Sequence, residues 1–143
     1  YTLRTLFPYT TLFRSSLVLM EVDKETNQFI REIGSYETSQ GAEYVTKLNY
    51  FGELINLTFD THVDVEEWQF SAIYDYFNED VFRAKGYIIE PIDDEYNPTW
   101  LVKFKYSDEH MVVRESLIEV CELIKQEFKE VFIKIKGKEE EYK

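Results

Sequence analysis

The clearest pattern in the chain lies between residues 54 and 60. Ile55, Leu57 and Phe59 alternate there with Asn56, Thr58 and Asp60. A period of two places one set of side chains on a buried face and the other on a wet one, so this segment predicts a half-buried strand. Residues 99–106 repeat the pattern, with Trp100, Val102, Phe104 and Tyr106 on one side and Lys103 and Lys105 on the other. Shorter apolar runs predict strands at 16–22, 28–36, 44–50 and 87–92. Polar turns separate the first two, and Phe51-Gly52-Glu53 marks a hairpin between 44–50 and 54–60. Pro91 cannot donate to a ladder, so the end of 87–92 is expected to be an edge or not hydrogen-bonded.

After Thr61 the period changes. Val65, Trp68, Ala72 and Tyr76 recur at steps of three and four and predict an amphipathic helix over 64–77, followed by a helical turn at Val81 and Phe82 that Gly86 stops. The same spacing joins Val113, Leu117, Val120, Ile124, Phe128, Val131 and Ile135 in a long helix over 108–136, ended by Gly137. Residues 138–143 read as a charged, frayed tail. The order β-β-β-β-α-β-β-α predicts an α+β fold: an antiparallel sheet of about six strands with two amphipathic helices on one face.

Residues 1–15 break the composition. They contain no Asp or Glu, whereas the rest of the chain contains all 28. Thr5–Ser15, TLFPYTTLFRS, matches the translation of a common sequencing adapter. We therefore expect 1–15 to be a non-native, disordered segment and 16–143 to be a single domain, with the true N-terminus hidden.

The net charge is −12. That field opposes nucleic-acid phosphates and anionic membrane surfaces, and it favours cationic partners. No apolar run approaches the ~20 residues of a membrane-spanning helix. The single cysteine, Cys121, excludes an internal disulfide and fits the cytoplasm. Its place beside the helix stripe, flanked by Glu119 and Glu122, predicts an inert buried thiol.

Three groups are candidates for chemistry. Asp60, His62 and Asp64 fall on one side of an extended strand and offer oxygen and nitrogen ligands to a divalent metal. The same residues also suit a strand end and a helix cap, and neither a calcium-loop nor a zinc motif surrounds them. Trp68, Trp100 and Tyr106, with Tyr74 and Tyr76, could line a helix-over-sheet ligand pocket, or could simply be core. Asp93, Asp94 and Glu95 form an acidic loop suited to a basic partner. His110 reads as a helix-start histidine. The five glycines are unclustered, so no phosphate cradle is present and no cofactor is implied.

The stretches SLVLMEVDKETNQFIREIGSYE, DVEEWQFSAIYDYFN and EYNPTWLVKFKY resemble a family of small bacterial proteins of unknown function, over essentially all of 16–143. The resemblance implies a bacterial origin and supplies no activity or site. The element order also resembles that of secretion-chaperone-like folds, although the helix that opens those folds is missing here. The sequence thus favours a non-catalytic acidic protein-interaction domain. Val112, Ile118, Leu123, Phe132 and Ile133, beyond the main stripe of the last helix, suggest an unknown protein partner or a homodimer through that helix. The alternatives are a metal-dependent or acid–base enzyme using Asp60, His62 and Asp64, and a small-ligand binder using the aromatic pocket.

Overall fold

The structure is a computed structural model that describes residues 15–38 and 40–143. The expectation for 1–15 therefore lies outside the described residues, except that the first strand already begins at Ser15. Six strands, β1 (Ser15–Val22), β2 (Phe29–Thr38), β3 (Val45–Phe51), β4 (Leu54–Asp60), β5 (Ile88–Ile92) and β6 (Thr99–Lys105), form one sheet. Three helices, α1 (Glu67–Tyr76), α2 (Asp80–Arg83) and α3 (His110–Lys134), accompany it. The fold is α+β, as the hydrophobic periods predict. The strand β4 has the bounds read from its alternation, and Pro91 lies on an edge strand.

The sheet order is β2-β1-β3-β4-β6-β5. Four of its five pairings are antiparallel; β1 and β3 run parallel, with Met20 opposite Asn49 and Glu21 opposite Tyr50. This corrects the expectation of a wholly antiparallel sheet. A third strand added to the outer edge of β2 would have been antiparallel. Instead the chain crosses over β1 and enters on its far side, pointing the same way.

Gly41 makes that crossing possible. Its φ is +92°, and it leads into a 3₁₀ turn at Ala42–Tyr44. A β-carbon built on it would lie 2.1 Å from the carbonyl oxygen of Cys121, in the middle of α3. Only glycine has both the left-handed backbone and the clearance. At the β3–β4 turn, Gly52 and Glu53 have φ of +63° and +65°, the two successive positive values of a tight hairpin that follows the sheet twist.

The helices cover one face. Trp100, Val102 and Phe104 of β6 stand beside Phe59, Leu57 and Ile55 of β4, and all six are buried. Trp100 is fully buried. Its ring lies 4.1 Å from Phe77, 4.8 Å from Tyr74, 5.7 Å from Phe59 and 5.9 Å from Phe128, and its Nε1 donates to Glu79 at 2.9 Å. The stripe of α3 from Val113 to Ile135 seals this core, and Cys121 is buried within it, its thiol pushed up to about 12 by burial. Of the five apolar residues beyond the main stripe, Leu123 and Phe132 pack on the core, Ile118 is half-buried, and Val112 and Ile133 stay exposed near opposite ends of the helix.

The helix α1 begins three residues later than its apolar period suggests. Thr61 Oγ1 donates to Val63 O at 2.7 Å, and His62 has φ of +66°, so residues 61–63 turn before the helix starts. Glu66 caps it, its N–H donating to Gln69 Oε1 at 2.8 Å. The tail is not frayed: Glu139–Tyr142 forms a 3₁₀ turn, and Tyr142 donates to Asp75 Oδ2 at 2.6 Å.

Glu127 is a carboxylate in the core layer, 5% exposed, and it accepts from the N–H of Asn78 at 3.3 Å. Burial raises its pKa above the ordinary carboxylate value. The folded state therefore holds this proton more tightly than the unfolded one. The cost of ionising Glu127 appears as pH rises above the unfolded carboxylate value and grows until pH passes its raised folded pKa. Glu127→Gln keeps the acceptor and removes the charge. It is expected to raise the melting temperature at pH 7 and to leave it unchanged near pH 4, a difference that thermal unfolding at the two pH values reads directly.

Candidate functional site

The second face of the sheet carries the side chains that alternate with the core. Lys47 and Asn49 of β3 register with Thr58 and Asn56 of β4, and these with Leu101 and Lys103 of β6. Leu54 stands between Phe51 and Lys105. Glu90 and Ile88 continue the rows on β5, while Met20, Val22 and Phe29 extend them on β1 and β2. All three helices pack on the Trp100 side, so this face is bare of helix among the described residues. It combines exposed apolar side chains, with Phe29 58% and Ile88 53% exposed, and three lysines on its central strands. None of Lys47, Lys103 and Lys105 is in an ion pair among the described residues, although the chain as a whole is strongly acidic.

In the middle of this face Asn56 is 4% exposed. Its Nδ2 donates to Leu54 O at 3.2 Å, and its Oδ1 is buried without a hydrogen-bond partner. An unpaired buried acceptor costs about 1–3 kcal/mol.

At the Asp60 end the face is walled by the β5–β6 loop. A cavity of about 260 Å³ lies there, lined by Thr46, Lys47, Thr58, Asp60, Ile92, Glu95 and Thr99. Tyr74 holds the wall in place. Its hydroxyl accepts from the N–H of Thr99 at 2.9 Å and reaches Ile92 O at 2.9 Å, tying both ends of the loop to α1; burial raises its pKa. Asn97 Nδ2 donates to Asp64 Oδ1 at 3.2 Å and fastens the loop to the segment before α1. Tyr74→Phe leaves the Thr99 N–H without its acceptor and is expected to cost about 2 kcal/mol. Hydrogen exchange should then speed up over residues 92–99 first.

The predicted site residues fall in different places. Asp60, His62 and Asp64 do not converge: Asp60 Oδ1 accepts from the N–H of His62 at 2.8 Å, His62 turns its ring edge toward Tyr44 at 6.1 Å, and Asp64 accepts from Asn97. Among the described residues no group of three or more His, Cys, Asp or Glu side chains is placed to hold a metal ion. The left-handed turn at His62 ends the strand on which the three would have shared a side. Trp68, Trp100 and Tyr106 do not line one pocket either. Trp100 is in the closed core, Tyr106 packs on Tyr50 at 5.0 Å, and Trp68 borders a surface cleft with Glu66, Glu67 and Tyr142. Phe59, Phe77, Phe82 and Phe128 fill the space between helix and sheet. In the acidic loop Asp93 and Asp94 are exposed to solvent, and Glu95 reaches the cavity. Lys47, Thr58 and Tyr74 were not among the sequence candidates for this end of the face. The alternation of β3 and β4 would have placed the first two there.

Fold and face together define a two-layer α+β domain with one sheet face left open. The chain belongs to DUF6762, a family of unknown function, whose model matches residues 12–143. No curated protein and no solved structure matches it. Among the described residues no helix is long and apolar enough to cross a membrane.

Proposed function

We propose that this is a non-catalytic protein-interaction domain that receives its partner on the open face of the sheet, and that the partner presents carboxylates among apolar side chains. The observation that carries the reading is the three lysines, Lys47, Lys103 and Lys105. Among the described residues they stand without ion-pair partners beside Phe51, Leu54 and Leu101, on the broad sheet face that no described helix covers. The same face carries Glu32, Glu90 and Asp60 around the lysines, so what it offers is a mixed patch in which the lysine ammoniums and the apolar side chains complement carboxylates set among apolar groups. The basic partner suggested by Asp93, Asp94 and Glu95 is less favoured, because those side chains belong to a short loop, with Tyr96 as its one strongly exposed large apolar neighbour, and not to a broad face. The metal or acid–base reading of Asp60, His62 and Asp64 and the aromatic-pocket reading have no convergence of side chains behind them. The buried lone thiol suits the cytoplasm.

Affinity capture with three forms of the chain tests the reading: wild type, Lys47→Glu/Lys103→Glu/Lys105→Glu, and the helix-side control Met111→Glu/Ile133→Glu. A partner held by the wild type and the control but lost with the lysine variant supports it. A partner retained by the lysine variant overturns it.

A further inference from the structure

The cavity at the Asp60 end of the open face has an unusual lining. It brings together one ammonium, Lys47, and two carboxylates, Asp60 and Glu95, with the hydroxyl of Thr58 and the apolar edge of Ile92. Opposite charges that share a cavity of this size ordinarily close on each other. Here they do not: no ion pair within 4.0 Å joins Lys47 to either carboxylate. Lys47 is fixed in register with Thr58 on β3, Asp60 is held at the end of β4 by the N–H of His62, and Glu95 rides on the loop that Tyr74 and Asn97 clamp. Two of the three threonine hydroxyls are already used, Thr46 on Thr58 O and Thr99 on Asn97 O. The groups left to face the cavity are the lysine, the two carboxylates and the hydroxyl of Thr58. The volume of about 260 Å³ is that of roughly eight or nine waters at about 30 Å³ each, enough for a small organic molecule.

We propose that this cavity binds a small zwitterion of the amino-acid type. Its ammonium lies between Asp60 and Glu95, and its carboxylate lies against Lys47 and the Thr58 hydroxyl. A ligand carrying both charges satisfies all three protein charges at once. A simple amine leaves Lys47 unanswered, and a simple carboxylate meets two like charges. The proposal goes beyond the protein-interaction reading; the two share Lys47, so Glu95→Gln, which lies outside the lysine set, is the variant that tests the cavity alone.

The test is amide NMR on the whole chain titrated with glycine and a set of L-amino acids, with ethylamine and propionate as half-probes. At least one amino acid is expected to move the amides of Thr58, Asp60, Glu95 and Thr99 at millimolar concentration, and neither half-probe is expected to match it. Lys47→Met and Glu95→Gln change exposed side chains and leave the spectrum elsewhere in place. Each is expected to weaken binding about tenfold or more, as loss of one charged hydrogen bond implies. The proposal is overturned if glycine and every L-amino acid leave these amides unmoved. It is equally overturned if a half-probe shifts them as strongly, or if both variants bind as the wild type does.

Discussion

Gly41→Ala is expected to destabilise the protein by about 3 kcal/mol or more, the sum of a left-handed backbone forced on a side chain and of overpacking against a helix that cannot give way. The added methyl would sit 2.1 Å from the Cys121 carbonyl oxygen and 2.7 Å from its carbonyl carbon, and both atoms are backbone. A flexible neighbour could rotate aside; a hydrogen-bonded turn in the middle of α3 has to move as a unit. Urea unfolding measures the loss. A second substitution separates the two causes: Gly52→Ala shares the positive φ, but nothing lies within 4 Å of its β-carbon. It should therefore cost about 1–2 kcal/mol, the backbone part alone. Equal losses at the two positions would mean that the crossover does not press on α3 as described.

The second large effect belongs to Trp100. Trp100→Ala is expected to cost about 3–5 kcal/mol, as the truncation of a fully buried large aromatic does, against a whole-domain stability of about 5–15 kcal/mol. The indole is the common neighbour of Phe59, Tyr74, Phe77 and Phe128, rings from β4, α1, the end of α1 and α3. Removing it loosens both layers at once. Trp100→Phe keeps most of the ring packing and loses the Nε1 bond to Glu79. Arg83 still holds Glu79 at 2.7 Å, so the cost should fall to about 1–2 kcal/mol. A Trp100→Ala chain that unfolds at the wild-type urea midpoint would mean that the indole does not anchor the core.

The places where sequence and structure agree share a physical cause. Residues 54–60 and 99–105 alternate because one face of the sheet meets a helix layer and the other does not, and that difference is written at every second position. The stripe of α3 is legible for the same reason. The parallel pairing of β1 with β3 is not legible. It depends on Gly41 fitting beneath the carbonyl of Cys121, and a lone glycine in a polar turn looks the same whether or not a helix presses on it. The start of α1 is displaced because Thr61 and His62 turn the chain before the apolar period can take effect. The cavity was half visible: Asp60 and Glu95 each stood out as acids, but in separate groups. What joins them is a loop clamped by Tyr74, a residue the sequence offers for an aromatic pocket or the core and not for this loop. Lys103 and Lys105 read from the sequence as the wet side of their strand, and that is correct locally; Lys47 carries no such reading. Their meaning comes from β3, β4 and β6 lying side by side.

The parallel seam has a consequence for how the molecule is held together. Its register joins just Met20 with Asn49 and Glu21 with Tyr50, so the sheet is two ribbons, β2-β1 and β3-β4-β6-β5, laid edge to edge. What spans them is α3. His110 stacks on Tyr36 and Arg114 Nε donates to Glu37 O on the first ribbon, and Phe128 packs on Phe59 and Trp100 of the second. The last long helix is thus a splint across a fracture line. The first ribbon enters the shared core through Leu19 and Tyr36, so α3 holds both ribbons in one hydrophobic unit.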